Sequence, residues 1–306
     1  GSAAMKVHTT GVRNIAIGAE AMDDTDAGST SLGSEDNVFV GYRAGSGTWT
    51  DAASNRNIAI GSYTMDSNLA GALDNTAMGH YALSSITSGD KNVGLGSNAG
   101  LSITTGAENV VIGYLAGDTM TGTGNTVLIG TSAGQAINST GADGTVAIGH
   151  QALTALTSGT NNVAIGFKAS KAMTTADNCT VIGYRAFESA NGDEDENTII
   201  GTQAGRDIDN DNADENVFIG YSTGLGGTGA LKQSVGIGAY ALDSTGGNDI
   251  TGTIAIGYTA LTALTTGAGN IAIGYAAMST HTTGTNNIAI GYGAMDDTDQ
   301  SAATLG

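Results

Sequence analysis

The sequence predicts an all-β protein, a parallel β-solenoid of about 16 coils of 17–19 residues. Three observations predict it: a glycine-centred string that returns along the whole chain, β-forming residues before each glycine, and 49 Gly with no Pro among 306 residues. Glycine stands at about twice its average share without the three-residue period of collagen, which indicates many tight turns. We therefore expect short strands joined by turns.

The repeat is marked by a glycine that closes an apolar triplet. Sixteen glycines share this phase: Gly18, Gly41, Gly61, Gly79, Gly96, Gly113, Gly130, Gly149, Gly166, Gly183, Gly201, Gly220, Gly238, Gly257, Gly274 and Gly291. The unit is too short for helical hairpins of about 34 residues or propeller blades of about 40 residues. It suits one coil of a β-solenoid, in which each repeat stacks on its neighbours.

A three-residue strand is predicted before each of these glycines. The first and third strand positions carry mostly Ile and Val, which favour strands and point to one face. The middle position is never polar or charged. Strands that are apolar on both sides are usually buried on both sides. We therefore expect one face inside the coil and the other against a second copy of the chain.

The positions that flank the strand predict the corners of the coil. Asn stands four residues before the glycine in eleven units, and Cys179 takes this place in one of the others. Asn accepts left-handed backbone and bonds to local amides, so stacked corners are expected to form an amide ladder. Ala usually stands three residues after the glycine, as close packing requires. The variable remainder is predicted to be a second short strand and a return turn.

Charge and cysteine content exclude several classes of partner. Ten Lys and Arg against 29 Asp and Glu give a net charge of -19, which repels nucleic acids and anionic membranes. No segment approaches the roughly 20 apolar residues of a membrane span, so no membrane insertion is expected. A single Cys179 excludes an intrachain disulfide.

The sequence predicts one continuous solenoid domain, residues 7–306, after a vector-derived segment at residues 1–6. Residues 7–33 align without gaps to residues 280–306, with 17 of 27 positions identical, at an offset of 281 − 8 = 273 residues. This match indicates a longer superperiod within a longer fibre protein. Chance similarity among related coils is the alternative.

The string Asn-x-Ala-Ile-Gly-x-x-Ala, repeated over residues 14–295, resembles the head repeats of trimeric autotransporter adhesins, the YadA-like left-handed β-roll. It is equally similar to the Asn-Thr-Ala-Ile-Gly-Tyr-x-Ala-Leu arrays of phage tail fibres, and its longer unit fits these better. The resemblance implies a parallel homotrimer and a location outside the cell, at the cell surface or on a virion. It also implies a role in adhesion or in carrying a binding tip.

All ten tyrosines stand one or two positions after a motif glycine, which predicts an aromatic stripe. The candidate binding residues are those at the first position: Tyr42, Tyr114, Tyr184, Tyr221, Tyr258, Tyr275 and Tyr292. Exposed rings could stack on sugars of a cell-surface glycan. Stacking between coils, or packing along a trimer seam, requires the same regularity.

Other candidate chemistry is sparse. Asp207, Asp209 and Asp211 have the spacing that begins a calcium loop, but the glycine that should follow is absent and Phe218 occupies the closing position. Calcium is the one cofactor this pattern admits, and a solvated acidic loop is the alternative. The four His are dispersed, and no acid pair stands out for glycan cleavage, so we expect no enzymatic activity.

The predicted function is that of a non-enzymatic structural or adhesive fibre segment, either an adhesin head or a tail-fibre shaft. It would trimerise through the apolar strand face and the Ala positions. Loops at residues 23–36, 188–196 and 206–215, or a distal tip, would contact a glycan or protein receptor on a cell surface. An ice-binding solenoid and a fibre-borne glycan hydrolase are the alternatives, and the sequence leaves the receptor and the handedness open.

Overall fold

The computed structural model describes residues 1–6, 11–23, 33–49, 52–138, 140–227, 229–246 and 249–296. The chain divides into two compact units, Gly1–Thr160 and Asn161–Gly306. Residues 24–32 of the first candidate loop lie outside the described residues, as do parts of both segments of the 273-residue match.

The first unit consists of eight short strands joined by turns. The strands are β1 (Ile15–Ile17), β2 (Val38–Val40), β3 (Ile58–Ile60), β4 (Thr76–Met78), β5 (Val93–Leu95), β6 (Val110–Ile112), β7 (Val127–Ile129) and β8 (Val146–Ile148), with one 3-10 turn at Thr140–Ala142. Each strand pairs in parallel with the next one along the chain, as in the pairing of Val93 with Val110.

The second unit repeats this arrangement and adds one small sheet. Its strands are β9 (Val163–Ile165), β10 (Thr180–Ile182), β11 (Thr198–Ile200), β12 (Val217–Ile219), β13 (Leu231–Lys232), β14 (Val235–Ile237), β15 (Ile250–Thr251), β16 (Ile254–Ile256), β17 (Ile271–Ile273) and β18 (Ile288–Ile290). The β13–β15 pair forms a separate sheet. No α-helix occurs in the described residues. The predicted fold class, a parallel β-solenoid with one strand for each motif glycine, is confirmed.

The motif glycines form a close column in which one backbone lies against the next. Gly113 has a φ of +136°, and a Cβ added there would lie 2.5 Å from the carbonyl oxygen of Gly130. The positive φ and the close approach each exclude a side chain at this position. At Gly113, and at the other motif glycines that lie against a following coil, a glycine is therefore required for two separate reasons.

The predicted asparagine ladder is confirmed, and Asn92 shows its geometry. Its Nδ2 donates to Asn75 Oδ1 at 3.1 Å and to the Gly106 carbonyl at 2.8 Å. Its Oδ1 accepts from the backbone N of Asn109 at 3.1 Å and from Asn109 Nδ2 at 2.9 Å. Both donors and both acceptor positions of a fully buried amide are thereby satisfied. Corner, strand and glycine are thus held in register from coil to coil.

The middle residue of each strand points into its own coil. Phe39, Ala59 and Leu128 are fully buried, whereas the flanking strand positions are half-buried or exposed. The motif alanines, such as Ala99 and Ala116, are also fully buried inside the coil, except Ala294 in the last described coil, which is half-buried. The prediction that the alanines form part of a trimer seam is therefore wrong, because the buried ones have no exposed surface to contribute.

Large and small residues alternate between two facing positions of the core. Where the strand centre is large, as in Phe39 or Phe218, the fourth residue after the motif glycine is Gly45 or Gly224, and a Cβ there would lie within 2.6 Å of the ring. In most of the coils whose strand centre is Ala, the fourth residue after the motif glycine is Leu or Met. In these coils a large residue at one position leaves room for a small one at the other, whereas Gly94 with Gly100 and Val181 with Phe187 depart from this exchange.

The return side differs from the prediction of a second strand in each coil. Among the described residues only β13 and β15 pair there, apart from a single bridge between Asn55 and Leu73. Elsewhere axial hydrogen bonds persist, as from the Thr87 N–H to the Thr104 carbonyl at 2.9 Å, but the backbone turns. Left-handed residues two and four positions after the glycine, such as Tyr81 and Leu83, begin this turn.

Residues 1–5 follow the path of the second half of a coil. Ala3 and Met5 have positive φ, as the equivalent Glu20 and Met22 do. The Met5 N–H donates to the Ala21 carbonyl at 2.9 Å, as expected for stacked coils. The vector origin assigned to this segment stays a prediction.

Substitution of Gly113 by Ala is expected to destabilise the protein more than the same change at Gly291. Both glycines have similar φ values, +136° and +131°, but no described atom lies within 4 Å of a Cβ at Gly291. Both variants therefore carry backbone strain of about 1–3 kcal/mol. Only Gly113→Ala adds overlap, costing about 1–3 kcal/mol more. Urea unfolding and amide exchange of the substituted coil measure the loss of stability in each variant. Equal losses in the two variants would contradict the close glycine column.

Candidate interaction surface

The outer strand face consists of the first and third residues of the sixteen repeat strands. Each unit contributes eight of these strands and therefore sixteen face residues. All of them are aliphatic in the first unit except Thr76, and in the second unit except Thr180 and Thr198. Ile58 is 39% exposed and Met78 is 50% exposed. Each unit therefore carries an uncharged apolar surface two residues wide.

The aromatic residues form a column beside this face, here called the tyrosine corner: Tyr42, Tyr63, His80, Tyr81, Phe167, Tyr184, Tyr221, Tyr240, Tyr258, Tyr275 and Tyr292. In the first unit the rings of Tyr63 and Tyr81 are stacked, with centroids 4.8 Å apart and planes at 11°. In the second unit Tyr258 and Tyr275 are stacked at 5.3 Å, and Tyr275 and Tyr292 at 5.1 Å and 6°. The predicted stripe is thus a set of ring-to-ring contacts along the coil axis.

This geometry bears on the glycan-binding hypothesis for the tyrosines. A sugar ring stacks on the face of an aromatic ring. In the stacked pairs, however, the facing surfaces of the rings already cover one another, as they do between Tyr184 and Phe167 at 5.4 Å. Tyr114, which is 55% exposed, has no ring partner among the described residues. The contacts between coils favour the structural interpretation of the stripe.

Five members of the corner were not among the predicted site residues: the two non-tyrosines Phe167 and His80, and the tyrosines Tyr63, Tyr81 and Tyr240, which stand one position later in the repeat. Phe167 and His80 stand directly after a motif glycine, the same phase as Tyr42 and Tyr184. Their position in the repeat would have identified Phe167 and His80, but the prediction counted only tyrosines at that position. Burial and the neighbouring hydroxyl raise the pKa of Tyr63 beside Tyr42 and that of Tyr240 beside Tyr221.

The opposite end of the strand carries a charged corner, the residue before each ladder position. In the first unit the charge at this position alternates in sign from one coil to the next, in the order Arg13, Asp36, Arg56, Asp74, Lys91 and Glu108. Arg56 Nε lies 2.6 Å from Asp74 Oδ1, and Lys91 Nζ lies 2.8 Å from Glu108 Oε1. The hydrogen bond from Arg56 lowers the pKa of Asp74. The strand face is thus bordered by an aromatic corner and, in this unit, an ionic corner.

The acidic loops use their carboxylates to bond the backbone of adjacent coils. Asp195 Oδ1 accepts from the Asp177 N–H at 2.6 Å, and Asp214 Oδ1 accepts from the Asp195 N–H at 3.2 Å. Buried Glu194 accepts from the Asn191 and Gly192 N–H groups, and burial raises its pKa. Asp195 and Asp214 therefore take part in stacking the coils, whereas Glu194 bonds the backbone of its own loop.

The candidate calcium residues are not assembled into a ligand set. Asp207 forms a two-bond ion pair with Arg206, with Nη2 to Oδ2 at 2.6 Å, while Asp209 and Asp211 are exposed. No group of three or more His, Cys, Asp or Glu in the described part of the chain is arranged to hold a metal.

Cys179 occupies the asparagine ladder and is buried. Its backbone N–H donates to Asn162 Oδ1 at 2.9 Å, and its Sγ donates to the Glu194 carbonyl at 3.1 Å. Burial raises the pKa of the thiol to about 12. A buried thiol of this kind stays protonated near neutral pH, as is typical of a structural cysteine.

The threonines of the return turns bond along the coil axis. Thr87 Oγ1 donates to the Thr104 carbonyl at 3.0 Å, and Thr104 Oγ1 donates to the Thr121 carbonyl at 3.2 Å. These hydroxyl protons are therefore engaged with the backbone. An ice-binding surface would need them directed outward in a flat array.

Comparisons with known proteins give no family for this chain. No protein-family model matches it, and searches of curated proteins and of solved structures found no significant match. Among the described residues, no helix is both long enough and apolar enough to cross a membrane.

Substitution of Cys179 by Asn is expected to stabilise the protein. The new amide could donate to Asn162 Oδ1 and to the Glu194 carbonyl, and could accept from Asn197, as Asn92 does in its own coil. Two or three added buried hydrogen bonds at about 0.5–1.5 kcal/mol each predict a gain of about 1–3 kcal/mol. Urea unfolding measures the gain, with Cys179→Ala as the control that adds no hydrogen bond. A lower unfolding midpoint for the Asn variant would contradict the ladder geometry.

Proposed function

We propose that this chain is a segment of a non-enzymatic structural and adhesive fibre that lies outside the cell, at a cell surface or on a virion. The observation that carries the proposal is the outer strand face. A continuous apolar surface of this kind is rarely left open on a monomeric protein and usually marks an interaction site.

A second copy of the chain is the partner that fits this face best. The face is uncharged and repeats with the coil, so an identical face can pack against it in register. About sixteen side chains in each unit, each exposing on the order of 50 Å², would cover roughly 800 Å², the share of one partner in a standard interface. Burial of apolar surface would drive the association.

The number of chains and the biological role rest on the resemblance of the repeat string. Similarity to adhesin heads and tail-fibre arrays favours a homotrimer that carries loops or a distal tip to a cell-surface glycan or protein receptor. Of the candidate receptor loops, residues 188–196 and 206–215 lie in the described part of the chain. Asp195 and Asp214 already bond neighbouring coils, so a receptor would contact exposed acids of these loops, such as Asp209 and Asp211.

The mass of the fragment in solution tests the association. Light scattering on a sizing column is expected to give about three chains, unchanged by a calcium chelator. The double variant Ile112→Glu with Ile129→Glu places charge on the outer strand face and is expected to give single, folded chains.

The matched control is Thr105→Glu with Thr121→Glu, which adds the same charge in the return turns of neighbouring coils. These two threonines are exposed, so the control is expected to keep the mass of the unmodified protein. A monomer at every concentration of the unmodified protein, or equal dissociation of both double variants, would contradict association through this face.

A further inference from the structure

The tyrosine corner brings phenol rings of successive coils together in two runs. The first run is Tyr42, Tyr63 and Tyr81, and the second is Tyr221, Tyr240, Tyr258, Tyr275 and Tyr292. Centroid distances within them range from 4.8 Å to 5.9 Å. The rings of the second run are also open to solvent, since Tyr258 is 46%, Tyr275 is 50% and Tyr292 is 83% exposed. Close phenols that a soluble oxidant can reach are the arrangement needed for oxidative coupling.

We propose that the stacked tyrosines are a covalent modification site, at which one-electron oxidation joins adjacent coils through dityrosine bonds. The favoured pairs are Tyr63 with Tyr81, Tyr258 with Tyr275, and Tyr275 with Tyr292, the three whose rings are stacked. This inference concerns bonds within one chain and does not depend on the proposed association.

The chemistry requires an external oxidant, and a haem peroxidase with hydrogen peroxide is the class that fits exposed phenols. Each tyrosine loses one electron and its phenolic proton to give a tyrosyl radical. Two radicals join through the ring carbons next to the oxygen-bearing carbons. Each joined carbon then loses its hydrogen as a proton, and each oxygen regains one. Overall, two tyrosines and one hydrogen peroxide give one dityrosine and two waters.

Proximity explains why coupling would occur between neighbours in the same column. The parallel register fixes the two backbones in adjacent coils, as in the pairing of Ile271 with Ile288 just before Tyr275 and Tyr292. Holding two reactants together in this way replaces a collision between separate chains with a step inside one molecule. Because the rings are exposed, rotation of the side chains can bring the two ring carbons into bonding distance.

The expected consequence is a covalent staple across successive coils. Tyr258 to Tyr275 and Tyr275 to Tyr292 each span 17 residues, one coil of the repeat. Such a bond closes a loop in the unfolded chain and would hold coils together against pulling or heat. Because Cys179 is the single cysteine of the chain, a disulfide within the chain cannot supply such a cross-link between coils.

Tyr114 supplies an internal comparison. Its side chain is 55% exposed, more than that of Tyr275, yet the same position in the flanking coils carries Ser97 and Thr131. It can therefore be oxidised but has no ring of this column beside it.

The test is oxidation of the full chain by a haem peroxidase with limiting hydrogen peroxide, followed by denaturation, thermolysin digestion and mass spectrometry. Equal amounts of nitrogen-14 and nitrogen-15 chains are unfolded, mixed and refolded together beforehand, so that each assembly contains both isotopes and bonds within and between chains are distinguished. The expected result is the loss of two hydrogens per bond and cross-linked peptides of a single isotope that join the three stacked pairs. The oxidised protein is also expected to unfold at a higher temperature.

Two conservative variants sharpen the test. Tyr275→Phe keeps the packing and is expected to lose both stacked-pair cross-links of the second unit while keeping the Tyr63–Tyr81 cross-link. Tyr114→Phe is expected to leave the cross-link pattern unchanged. Mixed-isotope peptides making up about half of the cross-linked peptides, as random pairing between chains would give, would overturn the proposal and would instead support association of chains through this corner. The proposal would also be overturned if Tyr114 were found in dityrosine as often as Tyr275.

Discussion

The stacking of identical backbone positions along the coil axis is the constraint on which the rest of this structure depends. A buried amide in the ladder, such as Asn92, is satisfied only when an equivalent group lies one coil before it and another one coil after it. The glycine column imposes the same spacing through direct backbone contact. A shift of one residue would leave buried donors and acceptors unpaired, at about 1–3 kcal/mol each. Register is therefore fixed at both ends of the strands whose coils carry Asn at the ladder position.

This register decides which surfaces the protein presents. With corner and glycine fixed, the middle strand residue must enter the coil, and the first and third must face outward. Three parallel columns result: a charged or polar corner, an aliphatic face and an aromatic corner. In the first unit, alternating charge at the ionic corner satisfies neighbours within the chain. The aliphatic face has no such partner, so it is the surface that a second copy would cover.

Much of this could be predicted from the sequence because every coil repeats the same local chemistry. The strands, the asparagine corner and the class of fold follow from the phase of residues such as Asn109 and Gly113. The inward direction of the alanines did not follow, because periodicity cannot tell which face of a doubly apolar strand lies inside. The return side was also mispredicted, since left-handed residues such as Leu83 carry no reliable sequence signal. Ring stacking at Tyr275 depends on side-chain orientation, which the repeat phase does not specify.

The most direct test of the central claim is hydrogen exchange of the asparagine side-chain amides, measured by nuclear magnetic resonance. Asn161 and Asn162 are adjacent in the chain, but Asn161 is exposed whereas Asn162 is buried in the ladder and donates to the Ala176 carbonyl at 2.5 Å. The account predicts that the Nδ2 protons of Asn162 and of Asn92 exchange as slowly as strand amides, while those of Asn161, whose exposed amide makes only a long bond of 3.5 Å to Asn178 Oδ1, exchange much faster. Fast exchange at Asn92 and Asn162 would contradict the amide ladder as the element that fixes the register.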